Sequence, residues 1–169
     1  MAVPAHPRAD RPYMPGYGLL PADQGTGLLS WADAERRLTA SHDYWVASVY
    51  PDGRPHVTPV WGVWRGGSVW FSCSLGSRKA RNLRADPRCT VTTDDAIDPV
   101  VVEGAAERTT ADEDLAAFAT AVNEKYDEHM TVEFLDPAVN AVFVVRPHRA
   151  FALNHDDFTG SPTRWRFDR

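Results

Sequence analysis

Residues 44–74 restrict the fold of this chain more than any other stretch. Three runs rich in aromatic and branched side chains, "YWVASVY", "HVTPVWGVW" and "SVWFSCS", are separated only by "PDGRP" and "RGG". Asp-Gly and Gly-Gly pairs at that spacing leave room for tight turns between antiparallel neighbours, so a meander is expected. Pro59 lies inside the second run and removes a ladder donor. Its amide side must therefore face an edge, a bulge or something else approaching the backbone. "RCTVTT" and "VVVEGAAER" add two strands, "AVFVVRP" with "RAFALN" a late pair, and "TRWRF" is a candidate to close the chain.

Helices are expected between the strands. Ser30 offers an N-cap with Asp33 three residues on, and Trp31, Ala34 and Leu38 recur at helical spacing as far as Ala40. Thr110 with Glu113 reads as a capping box, followed by a core-facing stripe of Leu115, Phe118, Val122 and Tyr126. Six or seven strands with two or three helices and no βαβ alternation give a mainly β fold with α, an antiparallel barrel with helices over its openings. Residues 1–29, with Pro4, Pro7, Pro12, Pro15 and Pro21, form an arm that cannot propagate a helix or a central strand, and 30–169 make one domain.

The formal net charge of -5 excludes general nucleic-acid binding, which needs a basic footprint, so any anion site must be local. Cys73 and Cys89 are the only cysteines and show neither a CxxC pair nor metal-ligand spacing, so no disulfide framework and no metal are expected. No apolar stretch has the length of a signal segment or a membrane span, and a cytoplasmic protein is expected.

Against that acidic background, "LGSRKARNLRADPR" sets Arg78, Lys79, Arg81, Arg84 and Arg88 beside a single acid, Asp86. Ser77 caps a short helix with Ala80 and Leu83 on its inner face and Pro87 as its stop. Arg78 and Lys79 then fall in the first turn, where the helix dipole disfavours cations. A bound phosphate reverses that balance, because free amides, the Ser77 hydroxyl and two cations converge on it. Asn82, one turn further, is a candidate to reach the same anion.

The order "DGRPHVTPVWGVW", glycine turn, "VWFSCSLGSRKARNL", "DPRCTV", "VVVEGAAER" resembles the pyridoxamine 5'-phosphate oxidase-like split β-barrel superfamily over residues 41–154. It most resembles the actinobacterial branch that uses the deazaflavin F420. The resemblance implies a homodimeric oxidoreductase with its cofactor in a cleft between two barrels. It places the phosphate grip on Ser77, Arg78 and Lys79, the edge of the flavin-type ring along Thr58, Pro59, Val60 and Trp61, and Ser72 and Cys73 beside the ribityl chain. The implied reaction is hydride transfer to a small unsaturated organic substrate, with Tyr126 and His56 as candidate proton donors. Pro99 stands where the vitamin B6 oxidases carry a flavin-binding glutamine, and Val63 where they carry a phosphate-binding lysine, so that activity is not expected. FMN is the alternative cofactor, and a non-catalytic flavin, deazaflavin or haem binder the alternative role, with His148 and His155 the late histidines available to haem.

Overall fold

A closed ring of six antiparallel strands is the centre of the computed structural model, which describes residues 7–168. In chain order the elements are β1 (Arg8–Asp10), α1 (Trp31–Ala40), β2 (Asp43–Val49), β3 (Pro55–Arg65), β4 (Ser68–Ser74), α2 (Arg78–Ala85), β5 (Arg88–Thr93), β6 (Val100–Thr109), α3 (Asp112–Tyr126), β7 (Asn140–Ala152) and β8 (Thr163–Arg166). Neighbours run β7-β4-β3-β2-β5-β6, and β6 pairs back onto β7 to close the barrel. β8 and β1 extend the sheet outside the ring from the far end of β7. The mainly β architecture with helices is the one expected.

The meander forms where the turn chemistry placed it. Gly53 at φ +87° serves the β2–β3 hairpin, and the Gly66-Gly67 pair, both at positive φ, serves the β3–β4 turn. Alternation sends Tyr44, Val46 and Ser48 of β2 inward, together with Val91, Val100, Val102, Phe71, Phe143 and Trp165. α1, capped by Ser30 Oγ accepting from the Asp33 amide at 3.1 Å, plugs the barrel with Ala34 and Leu38.

α3 departs from expectation in two respects. It lies on the outer face of the sheet, where Leu115, Phe118 and Val122 pack on Val63, Trp70, Val142 and Val144. β4 and β7 are thus covered on both faces over part of their length, which explains their uninterrupted apolar runs. Its N-cap is Ala111 with no side-chain cap bond, and the Thr109 hydroxyl reaches the Asp114 carboxylate at 2.6 Å, so the Thr110–Glu113 capping box does not form. Asp112, Glu113 and Asp114 in the first turn satisfy the dipole instead.

The late pair is a single strand. β7 runs through Pro147 because β4 leaves its edge at Val145 and β8 joins only at Arg149, so the proline faces no ladder partner on that side. On the other side the register with β6 shifts between Glu103 and Gly104, leaving His148 of β7 unmatched and bringing Gly104 opposite Pro147. A Cβ on Gly104 would stand 2.3 Å from the Arg146 carbonyl, so only glycine fits.

The arm is docked on the barrel. Its Arg8–Asp10 pair with β8, as an edge strand that the proline-rich composition had hidden. The Arg11 guanidinium donates to the carbonyls of Leu20, Pro21, Gln24, Gly160 and Pro162, and Asp10 pairs with Arg164 and Arg166.

Candidate functional site

The barrel is split between β3 and β4. These strands pair only through Gly62–Arg65 with Ser68–Phe71. Beyond that point Pro55–Trp61 follows β2, while Ser72–Ser74 follows β7. Pro59 lies on this unpaired edge, where its missing N–H costs no ladder bond. A cavity of about 340 Å³ opens at the split, with Pro59, Val60, Trp61, Ser72 and Lys79 in its wall. Those five residues come from the sequence reading. The opposite wall, Phe118 and Val122 of α3 with Met130 and Phe134 beyond it, does not.

α2 begins shortly after β4 and contributes Lys79, in its first turn, to the wall of this cavity. Ser77 is its N-cap and accepts from the Ala80 amide at 3.1 Å. Lys79 turns inward with only 7 % of its surface exposed, and among the described residues no carboxylate pairs with it. Its ammonium lies 5.9 Å from the Phe71 ring centre. Burial pulls its pKa below the ordinary lysine value, and the nearby Cys73 only partly offsets that. A buried cation with no counter-charge is costly unless something supplies one. Cys73, half-buried, has its thiol pKa raised by burial despite the Ser77 hydroxyl and the Lys79 charge, so it stays a neutral thiol.

Other expected members lie around this centre rather than in it. Thr58 points into the barrel, its Oγ1 buried and without a hydrogen-bond partner. Asn82 is fully buried and donates to Ser48 Oγ at 3.2 Å, so it is turned into the barrel interior and away from the helix N-terminus. Arg78 leaves the cavity and lies over the Tyr50 ring at 5.0 Å. Arg88 is bound to Asp86, and Arg81 donates to the Gly76 carbonyl.

Tyr126, a candidate proton donor, is committed to the backbone. Its hydroxyl accepts from the Gly62 amide at 2.9 Å and donates to the His42 carbonyl, while its ring stacks on Trp61 at 4.7 Å. Burial pushes its pKa up to about 12. Lys125 Nζ donates to the Gly62 carbonyl at 2.7 Å, and burial pulls its pKa down to about 8. Together they pin α3 to β3 at the rim of the cavity. Among the described residues, the hydrogen-bond partner within reach of His56 is Ser48, at 3.5 Å.

A larger cleft of about 730 Å³ includes Cys89, Glu103, His148 and Arg149 and shares no residue with the first. Its Arg88 is already paired with Asp86, so it offers no isolated buried charge comparable to Lys79.

A barrel split between β3 and β4, with a buried lysine in the wall of its opening, agrees with the family comparison, in which residues 32–154 match pyridoxamine 5'-phosphate oxidase. The chain belongs to that family. Among solved structures it is similar to the conserved hypothetical protein Rv2991 from Mycobacterium tuberculosis, with 27% identity, TM-score 0.67, and 75% of this chain and 86% of that one covered. It is also similar to an F420 reductase, with 28% identity, TM-score 0.56 and coverage of 69% and 94%. A haem-binding protein from Mycobacterium smegmatis shares the fold at 23% identity and TM-score 0.57, covering 75% of this chain and 59% of that one. No curated protein matches the chain. Within the described residues no helix is long and apolar enough to cross a membrane.

Proposed function

We propose that this family member is an oxidoreductase that holds the deazaflavin F420 at the β3–β4 split and serves a small unsaturated organic substrate. The observation that carries this reading is Lys79, a buried cation without a counter-charge among the described residues, in the wall of a largely apolar cavity. Such a site matches a ligand with a flat aromatic body and an anionic end. Lys79, the Ser77 hydroxyl and the first amides of α2 would hold the phosphate. The β3 edge from Thr58 to Trp61 would lie along the ring, with Ser72 and Cys73 beside the linking chain. When bound, the reduced deazaflavin supplies a hydride, and the protein supplies orientation and exclusion of water.

The similarity to an F420 reductase favours the deazaflavin over FMN. A second support is the proximity of Arg78 to Lys79 at the mouth, more cationic capacity than one phosphate needs. A haem-binding role is named for a relative of the same fold. Against it, the residues lining the split cavity include no histidine, and His148 opens onto the other cleft.

We also propose that the protein works as a homodimer. Trp45, Val57 and Trp61, on the outer faces of β2 and β3, are 45%, 53% and 48% exposed and form an apolar strip next to the cavity mouth. A second copy seated there would close the cleft over the ring.

Fluorescence-quenching titrations with F420 and with FMN test the cofactor assignment. F420 is expected to bind at least about tenfold more tightly, a difference of about 1.4 kcal/mol that a single charge-assisted contact supplies. Equal or reversed affinities reject the deazaflavin and favour FMN.

A further inference from the structure

Asn123 of α3 grips one peptide group from both sides. Its Oδ1 accepts from the Met130 amide at 2.7 Å, and its Nδ2 donates to the Met130 carbonyl at 2.9 Å. Further along, Leu135 is fully buried in the cluster that α3 forms on the outer face of the sheet. Between these anchors the chain makes one tight helical turn, Glu133–Leu135, and Asn140 Nδ2 donates to the Phe134 carbonyl at 2.5 Å. The backbone that carries Phe134 is thus fixed, and its ring stays 59% exposed while still lining the cavity. Single exposed apolar residues are ordinary on a protein surface. This one differs in being braced on both sides and set at the edge of a cavity. On the opposite wall Trp61 is likewise half-exposed, its ring held by stacking on Tyr126.

We propose that Phe134, together with Met130, is the substrate-selecting face of the site, admitting a flat, uncharged, conjugated substrate and turning away anionic ones, with Asn123 as the residue that positions it. The inference rests on the proposed cofactor reading and adds the class of its substrate. Size is the first argument. About 340 Å³ is at the small end of ligand sites and suits one flat body. With a cofactor ring along β3, its reaction partner approaches through the mouth, between Trp61 and Phe134. Charge is the second. Residues 127–139 carry Asp127, Glu128, Glu133 and Asp136, with no lysine or arginine and His129 as their basic side chain. All four acids are exposed, and none is in an ion pair among the described residues. Their field opposes an approaching anion. Lys79, the cation in the cavity wall, is engaged by the cofactor's phosphate in this reading, and Lys125 is bound to the Gly62 carbonyl. An anionic substrate therefore meets repulsion without a compensating partner, whereas an uncharged ring gains apolar contact with Phe134 and Met130.

Methyl cinnamate and cinnamate test this, since they share a flat conjugated skeleton and differ in carboxylate charge. Each is titrated by calorimetry into protein loaded with oxidised F420, so that binding is read without turnover. Wild type is expected to hold methyl cinnamate at least about tenfold more tightly than cinnamate. Phe134→Ala should weaken methyl cinnamate about tenfold, and Phe134→Tyr, which keeps the ring, should restore it. Glu133→Lys should narrow the gap between the probes by strengthening cinnamate. In Phe134→Ala the affinity for F420 should change by no more than about twofold and the melting temperature should hold, because the side chain is exposed. Wild type that binds the two probes equally, or binds neither, overturns the selecting face and leaves the cofactor reading in place. So does a Phe134→Ala variant that keeps methyl cinnamate. An equal loss of F420 assigns Phe134 to the bed of the ring, and a fall in mass by light scattering assigns it to an interface between copies; either overturns the inference. Wild type that fails to bind F420 overturns the cofactor reading, and the inference falls with it.

Discussion

Lys79 concentrates the conflict between folding and binding in one side chain. Its stem packs near Phe71 while its ammonium is largely withdrawn from water with no carboxylate beside it. The folded state therefore holds the proton less readily than the unfolded one. The resulting penalty is present at neutral pH and disappears as pH rises toward the ordinary lysine value of 10.5. Lys79→Met keeps the stem and removes the charge. Ligand affinity should fall by about 10- to 150-fold, the loss of a charge-assisted bond of roughly 1.5–3 kcal/mol. The ligand-free protein should melt no lower than wild type and somewhat higher if the burial penalty dominates. Calorimetric melts with and without ligand make the comparison. A variant that binds as wild type does, or that melts clearly lower when free, would mean that Lys79 is there for packing.

At the scale of elements, the wall opposite Lys79 is held by α3. Its last turn is fastened to β3 through Gly62, whose carbonyl accepts from Lys125 and whose amide donates to Tyr126. Lys125, with its pKa depressed to about 8, binds a proton in the unfolded chain over a range where the folded protein has released it. The stability that this group contributes then rises as pH climbs from about 8 toward 10, while the raised thiols of Cys73 and Cys89 act with the opposite sign above 9. Beyond 10 the half-buried Tyr126 acts with the opposite sign, because its folded pKa is raised and the unfolded chain ionises first. Melting temperatures followed across this range should climb more steeply in wild type than in Lys125→Met, which keeps the contributions of Lys79 and of the two buried thiols. A parallel climb in the variant would assign the effect to another group. Elements of this kind divide into those that local chemistry dictates and those that it does not. The glycine turns, the Ser30 and Ser77 caps and the unpaired edge at Pro59 follow from residues close in sequence, and all were legible. The continuity of β7 through Pro147 depends on a bulge at His148 against β6, and the unused Thr110–Glu113 box on the competing bond from Thr109 to Asp114. Met130 and Phe134 join the cavity because α3 crosses the outer face of the sheet. None of these leaves a periodic trace in the chain.

The molecule as a whole presents its apolar strip of Trp45 and Val57 on the same side as the mouth of the split. If that strip is the seat of a second copy, light scattering at micromolar concentration should give twice the mass of 18.8 kDa, and Val57→Asp should give a monomer that binds cofactor more weakly. A wild-type monomer with full cofactor stoichiometry would remove the dimer from the proposal. The other end of the molecule holds a different lesson, in the five carbonyls gathered around Arg11. Two of them belong to Gly160 and Pro162, nearly the whole chain away. During synthesis the arm precedes the barrel, and Arg11 can complete its set of carbonyls only once β8 has been made and laid against β7. Residues made before the barrel are thus among the last of the described chain to settle, and the docking of Arg8–Arg11 records that β8 is in place.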